Sequence, residues 1–432
     1  MNKDIISQKN TKGLKGIITI PSDKSISHRS LIFGAQTKGK IKISNFSFGA
    51  DCRATLQIIK DLGCEVEFLD GRTLILNAPK QFSTPKNALD CGNSGTSMRL
   101  LSGFLAGQSF NSILIGDESL SKRPMKRVID PLNQMGAKIN SNDFKAPLEI
   151  FGTNLNPIDY YSPIASAQVK SCILLAGVNT QGQTTTREKT LSRDHSERMF
   201  KYLGADIQTG KDEKGFFVKI SKSQLEPRNI EIAGDISSAA FFMVMAAIVP
   251  NSEIIIKNVG LNPTRTGILD VFEKMQINFE ILDKKIISNE EIGDIKISYT
   301  EDIKACEISG SIIPRLIDEL PIIAILATQA QGKTIIKDAK DLRNKESDRI
   351  STIVEGLKKI GADIEEKEDG FIISGKKELA GNAEIETYFD HRLAMSFFTA
   401  GLICKEPIKI NDFKWVNTSF PEFLELYDKI SQ

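Results

Sequence analysis

Cysteine is sparse and scattered: Cys52, Cys64, Cys91, Cys172, Cys306 and Cys404 include no CxxC pair. That spacing argues against zinc ligation and against a disulfide framework. It fits small buried hydrophobes in a reducing cytoplasm. Histidine is scarcer still. His28, His195 and His391 form no HExxH or other metal spacing, so metal catalysis is disfavoured. Neither GxxxxGK-S/T nor GxGxxG stands in a strand-to-helix context, which argues against a nucleotide-phosphate loop. The most apolar run, Ala239 to Pro250, is too short to span a bilayer. Met1-Asn2-Lys3-Asp4-Ile5-Ile6 opens no apolar stretch of signal-peptide length, so a cytoplasmic protein is expected. Net charge is only +1. There is thus no global electrostatic case for nucleic acid or a membrane surface, and any anion site must be local.

What is present is a long chain of ordinary globular composition. With 432 residues, 41% hydrophobic and 26% charged, it exceeds one ordinary core and calls for two domains or a repeated architecture. A weak repeat emerges when helix ends are aligned. Leu62-Gly63-Cys64, Met135-Gly136-Ala137, Leu203-Gly204-Ala205 and Ile360-Gly361-Ala362 each close a helical pattern and open a strand. Glycine there stops a helix in the left-handed region without steric strain. Met275-Gln276-Ile277 takes the same place in another copy without the glycine. At intervals of roughly 70–85 residues, each copy must be a compact α/β unit of several elements.

Helix starts repeat as well. The openings are Lys24-Ser25, Asn93-Ser94-Gly95-Thr96, Ser166-Ala167-Gln168, Gly234-Asp235-Ile236-Ser237-Ser238, Asp318-Glu319-Leu320-Pro321 and Asp390-His391-Arg392. Each leads into a run dense in Ala, Leu, Ile, Phe and Met, such as Phe241-Phe242-Met243-Val244-Met245. Helices apolar nearly all round belong at the centre of a layer, with sheets outside. Amphipathic helices, such as Asp51 to Leu62 and Ile350 to Ile360, and strands such as Glu253 to Ile256 complete the copies. Two groups of three copies give two similar domains. Their boundary is expected near Ala233-Gly234, with the first strand crossing into the second half. Several helix N-termini could then converge and bind anions, although every helix has an N-terminus and a purely structural use is open.

Charges gather at these openings. Asp23-Lys24-Ser25-Ile26-Ser27-His28-Arg29 follows a strand-like run and starts a helix with two cations and a hydroxyl; Ser25 and Arg29 share a face. Ser121-Lys122-Arg123-Pro124-Met125-Lys126-Arg127 puts four cations beside a proline turn. Asp341 to Arg349 is read as the start of an amphipathic helix, with Lys345 and Arg349 on one face and Glu346 and Asp348 among them. Solvated basic loops and an i,i+4 salt-bridge lattice are the plain alternatives.

Taken together, eight segments resemble the enolpyruvyl transferase family, on its shikimate-pathway branch. They are Ser22 to Arg29, Gly92 to Thr96, Lys122 to Met125, Ser166 to Ser171, Gly234 to Ala239, Ile317 to Glu319, Lys345 to Arg349 and Asp390 to Arg392. One alone is weak; all eight in this order are highly specific. The resemblance implies two domains, each of three βαβαββ units in an inside-out α/β barrel, with the active site in the cleft between them. The implied domains are 23–232 and 1–22 plus 233–432. The implied reaction moves the enolpyruvyl group of phosphoenolpyruvate (PEP) to the 5-hydroxyl of shikimate 3-phosphate, releasing phosphate.

Matched motif by motif, Lys24, Ser25, Arg29, Ser166, Ala167, Gln168, Asp318 and Lys345 are expected to contact shikimate 3-phosphate, with Arg193 as a further candidate for its phosphate. Lys24, Gly95, Arg123, Gln168, Arg349 and Arg392 are expected to hold PEP, and glyphosate, which resembles PEP, in the same place. Catalytic roles fall to Asp318 as base toward the hydroxyl, Glu346 as acid and then base at carbon, and Lys24 at the departing phosphate. No metal or organic cofactor is implied. The partners are those two small molecules, with no nucleic acid or membrane, and a monomer is expected. The cations of the two halves are read as two positive faces that repel until an anionic ligand compensates.

Two positions depart from the enteric type: Thr418 stands where many members have a PEP-contacting lysine, and Ala167 replaces a serine. Both, with Ser192-Arg193-Asp194-His195, look like the other bacterial branch. The sister branch that uses UDP-N-acetylglucosamine has a Lys-Asn pair and a reactive cysteine where this chain has Lys24-Ser25 and Lys122-Arg123-Pro124. His391 is read either as touching substrate or catalytic carboxylates or as capping its helix. His28 is read as structural, and Trp415 as a packing residue of the last strand.

Overall fold

The computed structural model describes residues 4–376 and 378–432. Its chain forms two compact α/β units. The first comprises Ser22–Ala233 and Ile286–Glu290. The second comprises the N-terminal segment up to Pro21, Gly234–Lys285 and Glu291–Gln432. Residues 1–3, part of the expected 1–22 segment, lie outside the described residues.

Each unit is built on three helices buried almost all round. In the first these are Lys24–Gly34, Gly95–Ala106 and Ala167–Gly177; in the second, Ile236–Ile248, Leu320–Ala327 and His391–Gly401. All eight residues of Leu320–Ala327 are buried. A fully buried Leu or Ile contributes about 1.5–3 kcal/mol, so such a helix is held by packing on every side. Gly103 shows how close that packing is. A Cβ there would sit 2.0 Å from the Cys172 carbonyl oxygen, so only glycine lets these two helices meet backbone to backbone.

A sheet covers each helix, and the strand order repeats. In the copy that contains the Gly95 helix, Leu89–Asp90 pairs in parallel with Ser112–Ile115. That strand pairs antiparallel with Lys145–Phe151, which pairs antiparallel with Lys138–Asn142. The same order holds in four further sheets. The sixth has three strands, and Ile5–Ser7 takes the antiparallel place beside Ile408–Ile410. There the amphipathic helix is replaced by Phe423–Ile430, whose Phe423 meets Phe242, Phe398, Phe413 and Phe420 at ring centroid distances of 5.4 to 6.1 Å.

The connections between the units exchange a strand. Lys15–Thr19 runs directly into the Lys24 helix, yet it pairs with Glu253–Gly260 of the second unit. Ile230–Glu231 precedes the Ile236 helix, yet it pairs with Lys40–Ser44 of the first. The Asp23 N–H donates to Ala233 O at 2.8 Å, and the Asp235 N–H donates to Pro21 O at 2.9 Å.

Ser22 and Ala233 fall in the first unit, one residue beyond each expected bound, and a longer segment also departs from the expected 233–432 assignment. Ile286–Glu290, the tip of the hairpin formed by Phe279–Ile287 and Glu290–Ser298, belongs to the first unit. It is held there by polar contacts. Glu290 Oε1 lies 2.8 Å from His195 Nδ1, Asn289 Nδ2 donates to Arg198 O at 2.9 Å, and Ser288 Oγ accepts from the Glu231 N–H at 2.9 Å. Trp415 also differs from expectation. It lies in a 3-10 turn, Phe413–Thr418, and is 37% exposed against Phe389.

Candidate active site

In the first unit three helix N-termini are tied into a ring by side chains. Asp23 caps the Lys24 helix by accepting from the Ile26 N–H at 2.8 Å. Ser94 caps the Gly95 helix, and Ser166 caps the Ala167 helix. The Lys24 and Gly95 helices are joined through His28, Thr55 and Ser97, with links of 2.8 and 2.6 Å. Gln168 joins the Ala167 and Gly95 helices: its Nε2 donates to Thr96 Oγ1 at 2.9 Å, and its Oε1 accepts from Arg99 Nη1 at 2.5 Å. Arg29 closes the ring by donating from Nη2 to Ser171 Oγ and from Nε to Ser196 Oγ, both at 2.8 Å. Three positive dipole ends therefore point into one region, which favours an anion there.

The candidates of this unit lie on that ring. Lys24 opens its helix and bonds the Asp51 carboxylate. Ser25 offers its carbonyl to Arg29 Nη1 at 3.0 Å. Burial lowers the pKa of Arg29 to about 10, and the charge of Arg193 is close enough to push the same way. Ser166, Ala167 and Arg193 are half-buried. Lys170 bonds Glu188, Glu197 and the Ser192 carbonyl, which fixes the loop carrying Arg193. Arg123 donates to Asn93 Oδ1 at 2.8 Å, while Lys122 and Lys126 pair with exposed carboxylates of their own helices. The four-cation loop thus divides: Arg123 turns to the ring, and those two lysines face solvent. A Cβ at Gly95 would lie 3.0 Å from Arg99 Nη1 and 3.6 Å from Arg123 Nη1, so both guanidinium groups border this residue. His28 is fully buried, and burial pulls its pKa down to about 3; it is a neutral structural link.

In the second unit the helix starts gather around Asp318. Asp235 caps the Ile236 helix, accepting from the Ser237 N–H. Asp390 caps the His391–Gly401 helix by accepting from the Arg392 N–H at 2.9 Å, so the cap is Asp390 and not His391. The Asp318 carboxylate, 16% exposed, has Lys345 Nζ at 3.5 Å, Arg349 Nη1 at 3.6 Å and Arg265 Nη1 at 3.9 Å. Arg392 Nη1 donates to the Asp318 carbonyl at 3.3 Å. Arg349 is buried, with Nε on Asp390 at 2.8 Å and Nη2 on Glu346 at 2.7 Å. Burial works against its charge, but Asp390, Glu346 and Asp318 outweigh that and raise its pKa above the usual arginine range. Its Nη1 has no hydrogen-bond partner although it is buried. A buried donor without an acceptor marks a place where a ligand oxygen would be welcome.

Two sequence expectations change here. The helix begins at Arg349, not Asp341: Lys340–Asn344 is a 3-10 turn, and Lys345 stands in the loop between. Asp348 caps the helix, and Arg343 pins the loop through Asp348, Glu366 and the Lys367 and Glu368 carbonyls. Nor is the second cluster a bare positive face. Arg265, Lys345, Arg349 and Arg392 are interleaved with Asp235, Asp318, Glu346 and Asp390.

Sequence reasoning missed Arg99, Asp51, Lys170 and Arg265. For Arg99 and Lys170 a signal existed: each is a cation within the first two turns of an otherwise apolar helix, as Arg29 is. Asp51 and Arg265 acquire their roles only through tertiary contacts. Among the described residues no cluster of three or more His, Cys, Asp or Glu could hold a metal, and no helix is long and apolar enough to cross a membrane.

The comparisons with known proteins agree across the whole chain. Residues 8–426 match the family described as EPSP synthase (3-phosphoshikimate 1-carboxyvinyltransferase). The 3-phosphoshikimate 1-carboxyvinyltransferase of Petrotoga mobilis is 49% identical over 97% of this chain and 98% of its own. That of Bacillus licheniformis is 48% identical with the same coverage. Among solved structures, EPSP synthase from Acinetobacter baumannii superposes with a TM-score of 0.88 at 41% identity, covering 99% of this chain and 98% of that one. The enolpyruvyl transferase NikO from Streptomyces tendae shares the fold, with a TM-score of 0.79 at 15% identity over 100% of this chain and 98% of its own. Matched over nearly its full length by the family and by such relatives, the chain belongs to the EPSP synthase (3-phosphoshikimate 1-carboxyvinyltransferase) family.

Proposed function

We propose that this protein transfers the enolpyruvyl group of PEP to the 5-hydroxyl of shikimate 3-phosphate with release of phosphate, as a cytoplasmic monomer. Family membership supports the reaction. The observation that carries the residue roles is the Asp318 carboxylate, partly exposed and ringed by Lys345, Arg349 and Arg265 within 3.5 to 3.9 Å, with Glu346 on Arg349. A carboxylate set among cations is placed to accept a proton from a nearby hydroxyl.

Shikimate 3-phosphate is assigned to Lys24, Ser25, Arg29, Ser166, Ala167, Gln168, Arg193, Asp318 and Lys345. PEP is assigned to Lys24, Gly95, Arg123, Gln168, Arg349 and Arg392. Asp318 takes the proton of the 5-hydroxyl as its oxygen bonds to C2 of PEP, and Glu346 delivers a proton to the methylene carbon. In the second half Glu346 removes a proton from the new methyl group, the C2–O bond to phosphate breaks, and Lys24 stabilises the leaving anion. Arg349 can serve PEP by exchanging its Glu346 contact for a ligand carboxylate, which also releases Glu346 for proton transfer. Positioned acid–base groups contribute about 10²–10⁴-fold, and fixed donors on developing charge contribute as much again.

The test is phosphate release from PEP with shikimate 3-phosphate, set against UDP-N-acetylglucosamine as acceptor. Activity with the first alone is expected. Asp318→Asn and Glu346→Gln are each expected to keep ligand affinity within about tenfold and to lower turnover about 10²-fold or more. Near-wild-type turnover in either variant removes that residue from the mechanism.

A further inference from the structure

Asn262-Pro263-Thr264-Arg265 forms a tight turn. Asn262 Oδ1 accepts from the Thr264 N–H at 2.9 Å, and the Arg265 N–H donates to the Asn262 carbonyl at 2.8 Å. The turn sends Arg265 inward, where it is 3% exposed. Its Nη2 donates to Asp235 Oδ1 at 3.1 Å and to Ser237 Oγ at 2.7 Å, both at the start of the buried Ile236 helix. Ser237 Oγ in turn donates to Glu319, the residue after Asp318. With one edge of the guanidinium fixed in this way, Nη1 is left 3.9 Å from Asp318 Oδ2, while Lys345 and Arg349 approach the other oxygen, Oδ1.

We infer that Arg265 is a positioning residue for Asp318: it anchors Oδ2 from the protein interior and presents Oδ1 to the acceptor hydroxyl. The inference rests on Asp318 being the base of the proposed reaction. The division of labour follows from rigidity. Lys345 is 22% exposed and carries a flexible ammonium that also reaches Asp341 at 3.5 Å. Arg349 is shared with Glu346 and Asp390. Both are assigned to ligands, so their hold on Asp318 changes through the catalytic cycle. Arg265 is assigned to no ligand and is gripped by Asp235 and Ser237, so its charge acts on Asp318 throughout. A fixed buried cation favours the ionised carboxylate and fixes its rotamer.

The charged groups around Asp318 are Lys345, Arg349, Arg265 and, through the main chain, Arg392. Behind these stand the carboxylates Asp341, Glu346, Asp390, Asp235 and Glu319, and His391 opens the neighbouring helix. Removing Arg265 subtracts one cation and leaves the others in place. Losing a nearby cation disfavours the ionised form of the carboxylate it faces. Because a base works above its pKa, the acidic limb of turnover must move to higher pH.

The experiment measures kcat and both KM values from pH 5 to 9 for Arg265→Gln, Arg265→Lys and Asp235→Asn/Arg265→Gln. The double variant removes both members of the buried ion pair, so it keeps the test alive should the single variant unfold; Asn can still cap the helix. Arg265→Gln and the double variant are expected to raise the acidic limb by about one pH unit and to lower kcat about 10- to 100-fold at pH 7, with both KM values within about threefold. Arg265→Lys, which retains the charge but not the two-pronged grip, is expected to restore the limb and only part of kcat. A limb that stays in place in folded Arg265→Gln or in the double variant overturns the inference, whatever happens to kcat. Asp318→Asn separates the two claims: if it retains turnover, the role of Asp318 itself fails, whereas lost turnover with an unmoved Arg265→Gln limb refutes only the role of Arg265.

Discussion

At the residue scale, the site is defined by what small changes would displace. Gly95 starts its helix with no side chain, and an added Cβ would meet Arg99 Nη1 at 3.0 Å. Arg99 cannot swing away without loss, because Gln168 Oε1 accepts from the same nitrogen at 2.5 Å. Gly95→Ala should therefore push that guanidinium and fill the approach to the helix N-terminus. Overpacking of this kind costs about 1–3 kcal/mol, and each 1.4 kcal/mol is a factor of ten. The KM for PEP is expected to rise about tenfold with kcat within about threefold, and the inhibition constant of glyphosate, a longer anion, to rise more. Steady-state kinetics with glyphosate as inhibitor checks this; an unchanged KM for PEP removes Gly95 from the pocket. Residue identity made Gly95 legible in the sequence. Arg99 was not singled out, because a cation inside an apolar helix gains meaning only when Gln168 and Gly95 are seen beside it.

At the element scale, helix ends were the most legible features because their chemistry is local. Gly63, Gly136, Gly204 and Gly361 adopt φ of 101, 90, 83 and 91°, as a helix-stopping glycine should. Gln276 takes the same place with φ of 58°, and the Ile277 N–H returns to Phe272 O at 2.9 Å, matching Cys64 to Ile59 O at 3.1 Å. A side chain in the left-handed region costs about 1–2 kcal/mol, of which the extra unfolded-state freedom of glycine returns part. Gln276 is exposed, so its side chain offers little packing in compensation. Gln276→Gly is expected to stabilise the second unit by about 0.5–1 kcal/mol and to raise its unfolding midpoint by about 1–4 °C. Gln276→Ala should not. Calorimetry on the three proteins decides it, and a lower midpoint for the glycine variant refutes the account. The start of the Arg349 helix was not legible from local pattern, because Arg343 holds the preceding loop through residues more than twenty positions away. The hairpin tip Ile286–Glu290 was missed for the same reason.

At the scale of the molecule, the repeat could be read from the sequence because the central helices are apolar nearly all round, while the exchanged strands needed the pairing of Lys15–Thr19 and Ile230–Glu231 to be seen. The charge balance also had to be corrected. Excess cation lies in the first unit, where Arg29, Arg99, Arg123 and Arg193 accompany Lys24, whereas carboxylates match the cations of the second. Mutual repulsion between two positive faces is therefore a weak ground for expecting ligand-dependent closure. Differential binding is the stronger one. Shikimate 3-phosphate, assigned to residues of both units, should dock on the first through its phosphate and then draw in Lys345 and Asp318. A shift from 1:99 to 99:1 requires about 5.5 kcal/mol of preference, and hydrogen bonds to charged groups contribute about 1.5–3 kcal/mol each, so two to four suffice. With PEP proposed to take Arg123 of one unit and Arg349 and Arg392 of the other, its site is expected to be complete only afterwards. Ordered, synergistic binding follows: shikimate 3-phosphate should tighten PEP or glyphosate binding and reduce the radius of gyration measured by small-angle scattering. Trp415 offers a second probe, because its ring lies 5.5 Å from Phe389, the residue before Asp390, and its fluorescence should change on the same titration. An unchanged radius at saturation, together with equal PEP affinity with and without shikimate 3-phosphate, would sink the closure mechanism.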